Sequence, residues 1–205
     1  MDWSTWRALM SGERPAPAWL AADNGFTSVL GMREAHARIA AAVRLVTNGQ
    51  RYNVIDLGCG NGALLATICE GMPALQPFGI ERDPQKLVHA QALFGPAVAR
   101  WLTCDMFSDV LPDLFSDSLS DLARFETVAD RSVALIMPGR LLEARAERAA
   151  VLRLWLRHHA DIILCYAYPD WMARCGGLHE LGRQAGFAAL QSVRDDPMIA
   201  VGRLA

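Results

Sequence analysis

The residues best suited to chemistry are an acid and three glycines. Residues 54–62 read VIDLGCGNG, so Asp56 stands two positions ahead of an alternating Gly58, Gly60 and Gly62. Glycine lets a backbone come close to a ligand and take positive φ. A plain strand-to-helix turn needs one glycine, not three behind an acid. Gly58, Gly60 and Ala63 formally satisfy the dinucleotide pattern G-x-G-x-x-A. Asp56 weighs against that reading, because a carboxylate repels a nearby phosphate and favours a cation or an amine. Two further acids, Glu81 and Asp105, stand where later strands are expected to end.

These residues need a scaffold that gathers them, and the chain reads as alternating strands and helices. A helix is expected over 33–46, with an apolar face through Ala35, Ile39, Ala42, Val43 and Val46, stopped by Asn48-Gly49. Then come a buried strand Tyr52–Leu57, a helix Ala63–Glu70, a strand Phe78–Glu81 and a helix Pro84–Leu93 with Asp83 as N-cap. A third strand is expected over Trp101–Cys104, mixed and partly helical chain over 112–130, and a fourth strand over Val133–Met137. One long helix Leu141–His159 follows, apolar at Leu142, Ala149, Leu152 and Leu156. The fifth strand is Asp161–Tyr168, and Gly186 ends a helix Leu178–Ala185. Ala188–Val193 and Met198–Arg203 form a closing hairpin about Asp195-Asp196-Pro197. Repeated βα units imply an α/β fold, a mostly parallel sheet covered by helices on both faces. The short final link forces an antiparallel pair. Such sheets bind ligands at the carboxyl ends of their strands, where the glycines lie.

The pattern resembles the class I S-adenosylmethionine-dependent methyltransferases. Their first motif is an acid followed by G-x-G-x-G, as in Asp56-Leu57-Gly58-Cys59-Gly60-Asn61-Gly62. The likeness spans roughly residues 35–205 and includes the seven-strand order with its final hairpin. It implies a Rossmann-like sheet and S-adenosylmethionine as cofactor, with S-adenosylhomocysteine as product. Gly58, Cys59, Gly60 and Asn61 would wrap the methionine portion, with Asp56 near its ammonium. Glu81 would accept both ribose hydroxyls, a bidentate task suited to two carboxylate oxygens. Arg82 would flank the adenine or stand in solvent. Asp105 would accept from the adenine amino group, with Met106 stacking on the ring, and Met137 would border the site.

The fourth strand leads into Met137-Pro138-Gly139-Arg140. Amino-methyltransferases acting on bases or glutamine carry [ND]-P-P-[YFW] there, so those substrates are disfavoured. Catechol-type enzymes place a metal-binding aspartate at that strand end. None stands here, so no metal is expected. The expected reaction is metal-independent methyl transfer to an O or N of a small molecule, a secondary metabolite or an amino-acid-like acceptor. Candidate catalytic residues are Arg140, Tyr168 and His36. Candidate substrate contacts are Trp19, Phe26, Arg140, Tyr168 and Trp171. The alternative is an RNA or protein methyltransferase, for which the arginines of 140–157 would form a stripe; interleaved Glu143 and Glu147 favour a solvated face instead.

Composition sets the remaining bounds. The 205 residues suit one domain, with 1–32 as a partly helical N-terminal cap and 33–205 as the core. Net charge is −2, so a broadly basic nucleic-acid surface is not expected. The five cysteines lack C-x-x-C spacing, which points away from structural zinc and towards a reducing cytoplasm. The opening MDWSTWRALM lacks a basic-then-apolar pattern, so no signal peptide is expected, and no apolar run reaches membrane-span length. The expected assembly is a monomer or a homodimer.

Overall fold

The computed structural model of the chain describes residues 3–94, 100–107, 131–168, 172–174 and 176–205. β1 (Tyr52–Leu57) is buried at all six positions, as a strand covered on both faces must be. β2 (Leu75–Glu81), β3 (Arg100–Thr103), β4 (Ser132–Ile136) and β5 (Ile162–Tyr166) join it in parallel pairing. β7 (Ile199–Leu204) runs antiparallel between β5 and β6 (Phe187–Ser192). The order is β3-β2-β1-β4-β5-β7-β6, the seven-stranded, mostly parallel sheet that the sequence predicts.

Alternation along each strand divides the core. Tyr52 and Val54 of β1, Val133 and Leu135 of β4, and Leu164 and Tyr166 of β5 join one cluster. Covering that face are α1 (Trp3–Ser11), α2 (Trp19–Ala22), α3 (Val29–Thr47), α4 (Ala63–Cys69) and α5 (Pro84–Phe94). Ile55 and Leu57, Ala134 and Ile136, and Ile163 and Cys165 join the other cluster. It is covered by α6 (Pro138–Glu143), α7 (Ala146–His159) and α8 (Leu178–Gln184). Asp56 continues the Tyr52–Val54 alternation and therefore faces the α3 side. No described helix is long and apolar enough to cross a membrane.

Three boundaries differ from the sequence expectation for physical reasons. α3 begins at Val29, because Ser28 caps it by accepting from the Gly31 N–H at 3.1 Å. β2 begins at Leu75 and contains Pro77, which a central strand rejects. Among the described residues, β3 pairs with β2 from Phe78 onward, and Pro77 has a strand neighbour on the β1 side, where it pairs with Val54. The single helix expected over 141–159 is two helices. Pro138 starts α6, where its missing N–H costs nothing. Ala144 and Arg145 are then extended, and the two halves part towards different partners, α8 and β4. The break resets the helical phase, so Leu141 is buried and Leu142 is 39% exposed. Asp83 caps α5 as expected, accepting from the Gln85 N–H at 2.9 Å. The expectation for 112–130 lies outside the described residues.

The first-motif loop also depends on a glycine outside the motif. A Cβ on Gly79 would overlap the Trp101 ring and approach Cys59 Sγ within 2.7 Å. Gly79→Ala is expected to lower stability by about 1–3 kcal/mol through overpacking, read as a lower urea midpoint with an unchanged m-value.

Candidate active site

The sheet order reverses between β1 and β4, and a cavity of about 360 Å³ opens there at the carboxyl ends of the strands. The chain leaves β1 through Gly58, Gly60 and Gly62, at φ of +82°, +56° and +75°. Their alternation produces this turn, since side chains disfavour positive φ. The Ala63 N–H at the start of α4 already donates to Asn61 Oδ1 at 3.2 Å. That removes a donor from the dinucleotide reading of the loop.

Two carboxylates define one part of the cavity. Asp56 is 1% exposed, and its Oδ1 meets no hydrogen-bond partner among the described residues. Burial, and secondarily the charge of Glu81, pushes its pKa up to about 7. Glu81 is held in place by backbone. Its Oε2 accepts from the Gly60 N–H and its Oε1 from the Asp83 N–H, both at 3.0 Å. Each oxygen keeps a further lone pair for a ligand. Arg82 and Asp105 line the same cavity, and Asp105 Oδ1 also accepts from the Phe107 N–H at 2.9 Å. The Met106 methyl covers Gly58, where an added Cβ would come within 2.8 Å of it. Cys59 is buried, and burial first, then the two acids, pushes its thiol pKa well up.

The other part is aromatic. His36, Met137, Arg140, Tyr166 and Tyr168 line it. Burial, with a smaller effect from the Asp56 charge, pushes both phenols up, so they stay protonated at neutral pH. Arg140 lies at the rim and donates to Glu143 at 3.0 Å, each side chain about half exposed. Phe26 stands behind the lining, edge-on to His36 at 5.5 Å and to Tyr168 at 4.9 Å.

No family model matches the sequence. An uncharacterized methyltransferase of Mycobacterium tuberculosis and one of Mycobacterium bovis are each 30% identical to it over 118 residues. The match covers 55% of this chain and 59% of each relative. The N-terminal domain of EvdMO1, crystallised in the presence of S-adenosylhomocysteine and D-fucose, is 18% identical. It aligns over 100% of this chain and 98% of that chain with a TM-score of 0.54. The strand order decides the family of folds. This is the class I methyltransferase fold.

Within this methyltransferase fold, several expected residues gather at the cavity: Asp56, Gly58, Cys59, Glu81, Arg82, Asp105, Met106, Met137, Arg140, Tyr168 and His36. Others take different places. Asn61 turns into the cap, donating to the carbonyls of Trp19 at 3.2 Å and Leu20 at 3.0 Å. Its Oδ1 accepts from Asn24 Nδ2 at 2.6 Å. Gly60 lies beneath Asn24 and the Asp23 carbonyl, not in the lining. Trp19 stacks on His89 at 4.3 Å and also lies outside the lining. Trp171 lies outside the described residues. Sequence reasoning passed over Asp23, Lys86 and His89. Asp23 Oδ2 meets His89 Nδ1 at 2.7 Å, and Lys86 Nζ donates to the Asp23 carbonyl at 2.9 Å. Together they clasp the cap to α5 over the cavity. The one available signal was that Lys86 is the only lysine in the chain.

Proposed function

We propose that the protein transfers a methyl group from S-adenosylmethionine to an oxygen or nitrogen of a small molecule, without a metal. The observation that carries this reading is the buried Asp56 Oδ1, unpartnered among the described residues at the exit of the glycine loop. An isolated buried acceptor is costly, and an ammonium would satisfy it. Glu81, held by two backbone N–H groups, would receive the ribose hydroxyls on its free lone pairs. Asp105 and Met106 would border the adenine, and Arg82 its edge. The bound sulfonium supplies an activated methyl group; the protein's share of the work is alignment and exclusion of water. The names of the curated relatives support methyl transfer. The acceptor is read as a secondary metabolite or an amino-acid-like molecule that enters beside Tyr168 and Arg140. The reading places the protein in the cytoplasm.

Isothermal titration with S-adenosylhomocysteine tests the reading, and absence of binding would sink it. Glu81→Ala is expected to weaken that binding by about 1–3 kcal/mol, the usual loss for a charged hydrogen bond. Its melting temperature should fall as well, because the Gly60 and Asp83 N–H groups lose their acceptor.

A further inference from the structure

α3 contributes a polar group that the cofactor reading leaves unused. His36 is 1% exposed and lines the cavity, yet its Nδ1 meets no partner among the described residues. A buried ring nitrogen without a partner costs free energy unless a ligand completes it. The ring is fixed by the edge-on contact with Phe26, and Phe26 in turn braces Tyr168. His36, Tyr166 and Tyr168 therefore form one compartment of the cavity near Asp56, whose charge acts on both phenols.

The charges of this compartment restrict what it can take. Burial lowers the His36 pKa to about 3, so the imidazole is neutral at physiological pH. Both phenols keep their protons. At the rim, the cation of Arg140 is balanced by Glu143. On the proposed reading, Asp56 is neutralised by the cofactor ammonium. Among the described residues, no unbalanced charge then remains on these walls to offset a buried ionic group.

We infer that His36 is the acceptor-positioning residue, and that its Nδ1 takes one hydrogen bond from the hydroxyl or un-ionised amine of an uncharged acceptor. This rests on the proposed function and deepens it. A neutral imidazole has one ring nitrogen that accepts and one that donates. An acceptor's O–H or N–H can thus be oriented while its lone pair stays free to attack. With so low a proton affinity, His36 positions the acceptor and does not take its proton; the proton that methylation frees passes to water at the rim, where Arg140 and Glu143 stand about half exposed.

The probes are phenol, benzoate and benzylammonium at neutral pH, which carry a similar ring and differ in charge. Each is titrated into ¹⁵N-histidine-labelled protein saturated with S-adenosylhomocysteine. Phenol is expected to bind in preference to the two ions and to shift the His36 nitrogen resonance. In His36→Phe, phenol binding should weaken about tenfold while S-adenosylhomocysteine affinity is unchanged. His36→Asn, which restores a polar atom near Nδ1, should recover part of the loss. Equal binding of benzoate or benzylammonium, no phenol binding, or phenol binding indifferent to His36→Phe would overturn the inference. If both variants fail to melt cooperatively, the resonance shift in the unmodified protein decides. Failure of S-adenosylhomocysteine itself to bind is seen before any probe is added, and it would overturn the underlying reading instead.

Discussion

Asp56→Asn is expected to raise the melting temperature of the free protein while weakening S-adenosylhomocysteine binding by about 1–3 kcal/mol, roughly 5–150-fold. The two effects have one origin. The carboxylate is buried beside Glu81 with Oδ1 unpartnered among the described residues, so its charge opposes folding and awaits a cation. The amide keeps the shape and removes the charge. A residue kept only for packing would show neither opposite movement nor a pH signature.

That signature has a definite sign. Burial holds the folded pKa at about 7, against an ordinary value of 3.8. Between these values the folded state keeps a proton that the unfolded chain has released. The stabilisation is full below about 4 and is lost as pH rises through about 7, by at most about 4 kcal/mol. Ligand affinity moves the other way, because an ammonium selects the ionised carboxylate. Binding should tighten from pH 6 to 8 in the natural chain and lose that dependence in Asp56→Asn. Calorimetric melts and titrations across this range measure both.

Asn61→Ala is expected to lower stability by roughly 2–4 kcal/mol, or about 5–15 °C in melting temperature for a chain of this size. Asn61 is fully buried. Its amide supplies the Trp19 and Leu20 carbonyls, and its oxygen receives the Asn24 amide and the Ala63 N–H. Alanine strands several of these groups at once. Cofactor affinity should fall too, although the Asn61 side chain does not line the cavity, because Ala22, Asp23, Asn24 and Gly25 do. Asn61→Asp is a useful companion. It can still accept but cannot donate to the two carbonyls, and it adds an anion near Asp23. An unchanged melting temperature in both variants would contradict the role assigned to this side chain.

The parts of this fold that were legible in the sequence are those fixed by local pattern. The buried run Tyr52–Leu57, the glycine spacing and an acid at the end of β2 each carry their own signal. Pro77 hid the start of β2, because a proline inside an apolar run argues against a central strand. The break at Ala144–Arg145 contains no helix breaker and follows from α6 and α7 having different partners. The clasp on the cap was illegible for a further reason. Asp23 finds Lys86 and His89 across 63 and 66 positions, a separation that no local periodicity encodes. His36 gave only the ambiguous signal of a histidine on an apolar helix. Its value emerged from what surrounds the ring.

The same clasp bears on the order in which the chain assembles. Residues 19–24 are synthesised before their partners at 61, 86 and 89, which arrive 37–66 positions later. Leu20 and Met32 belong to the same buried cluster as residues of α4 and α5. Closing so long a loop delays docking until the contacts that reward it are in place. The segment made before its partners is thus among the last to settle. In a refolding experiment, the stacking of Trp19 on His89 should trail the formation of the sheet, making this tryptophan a natural clock for the final step.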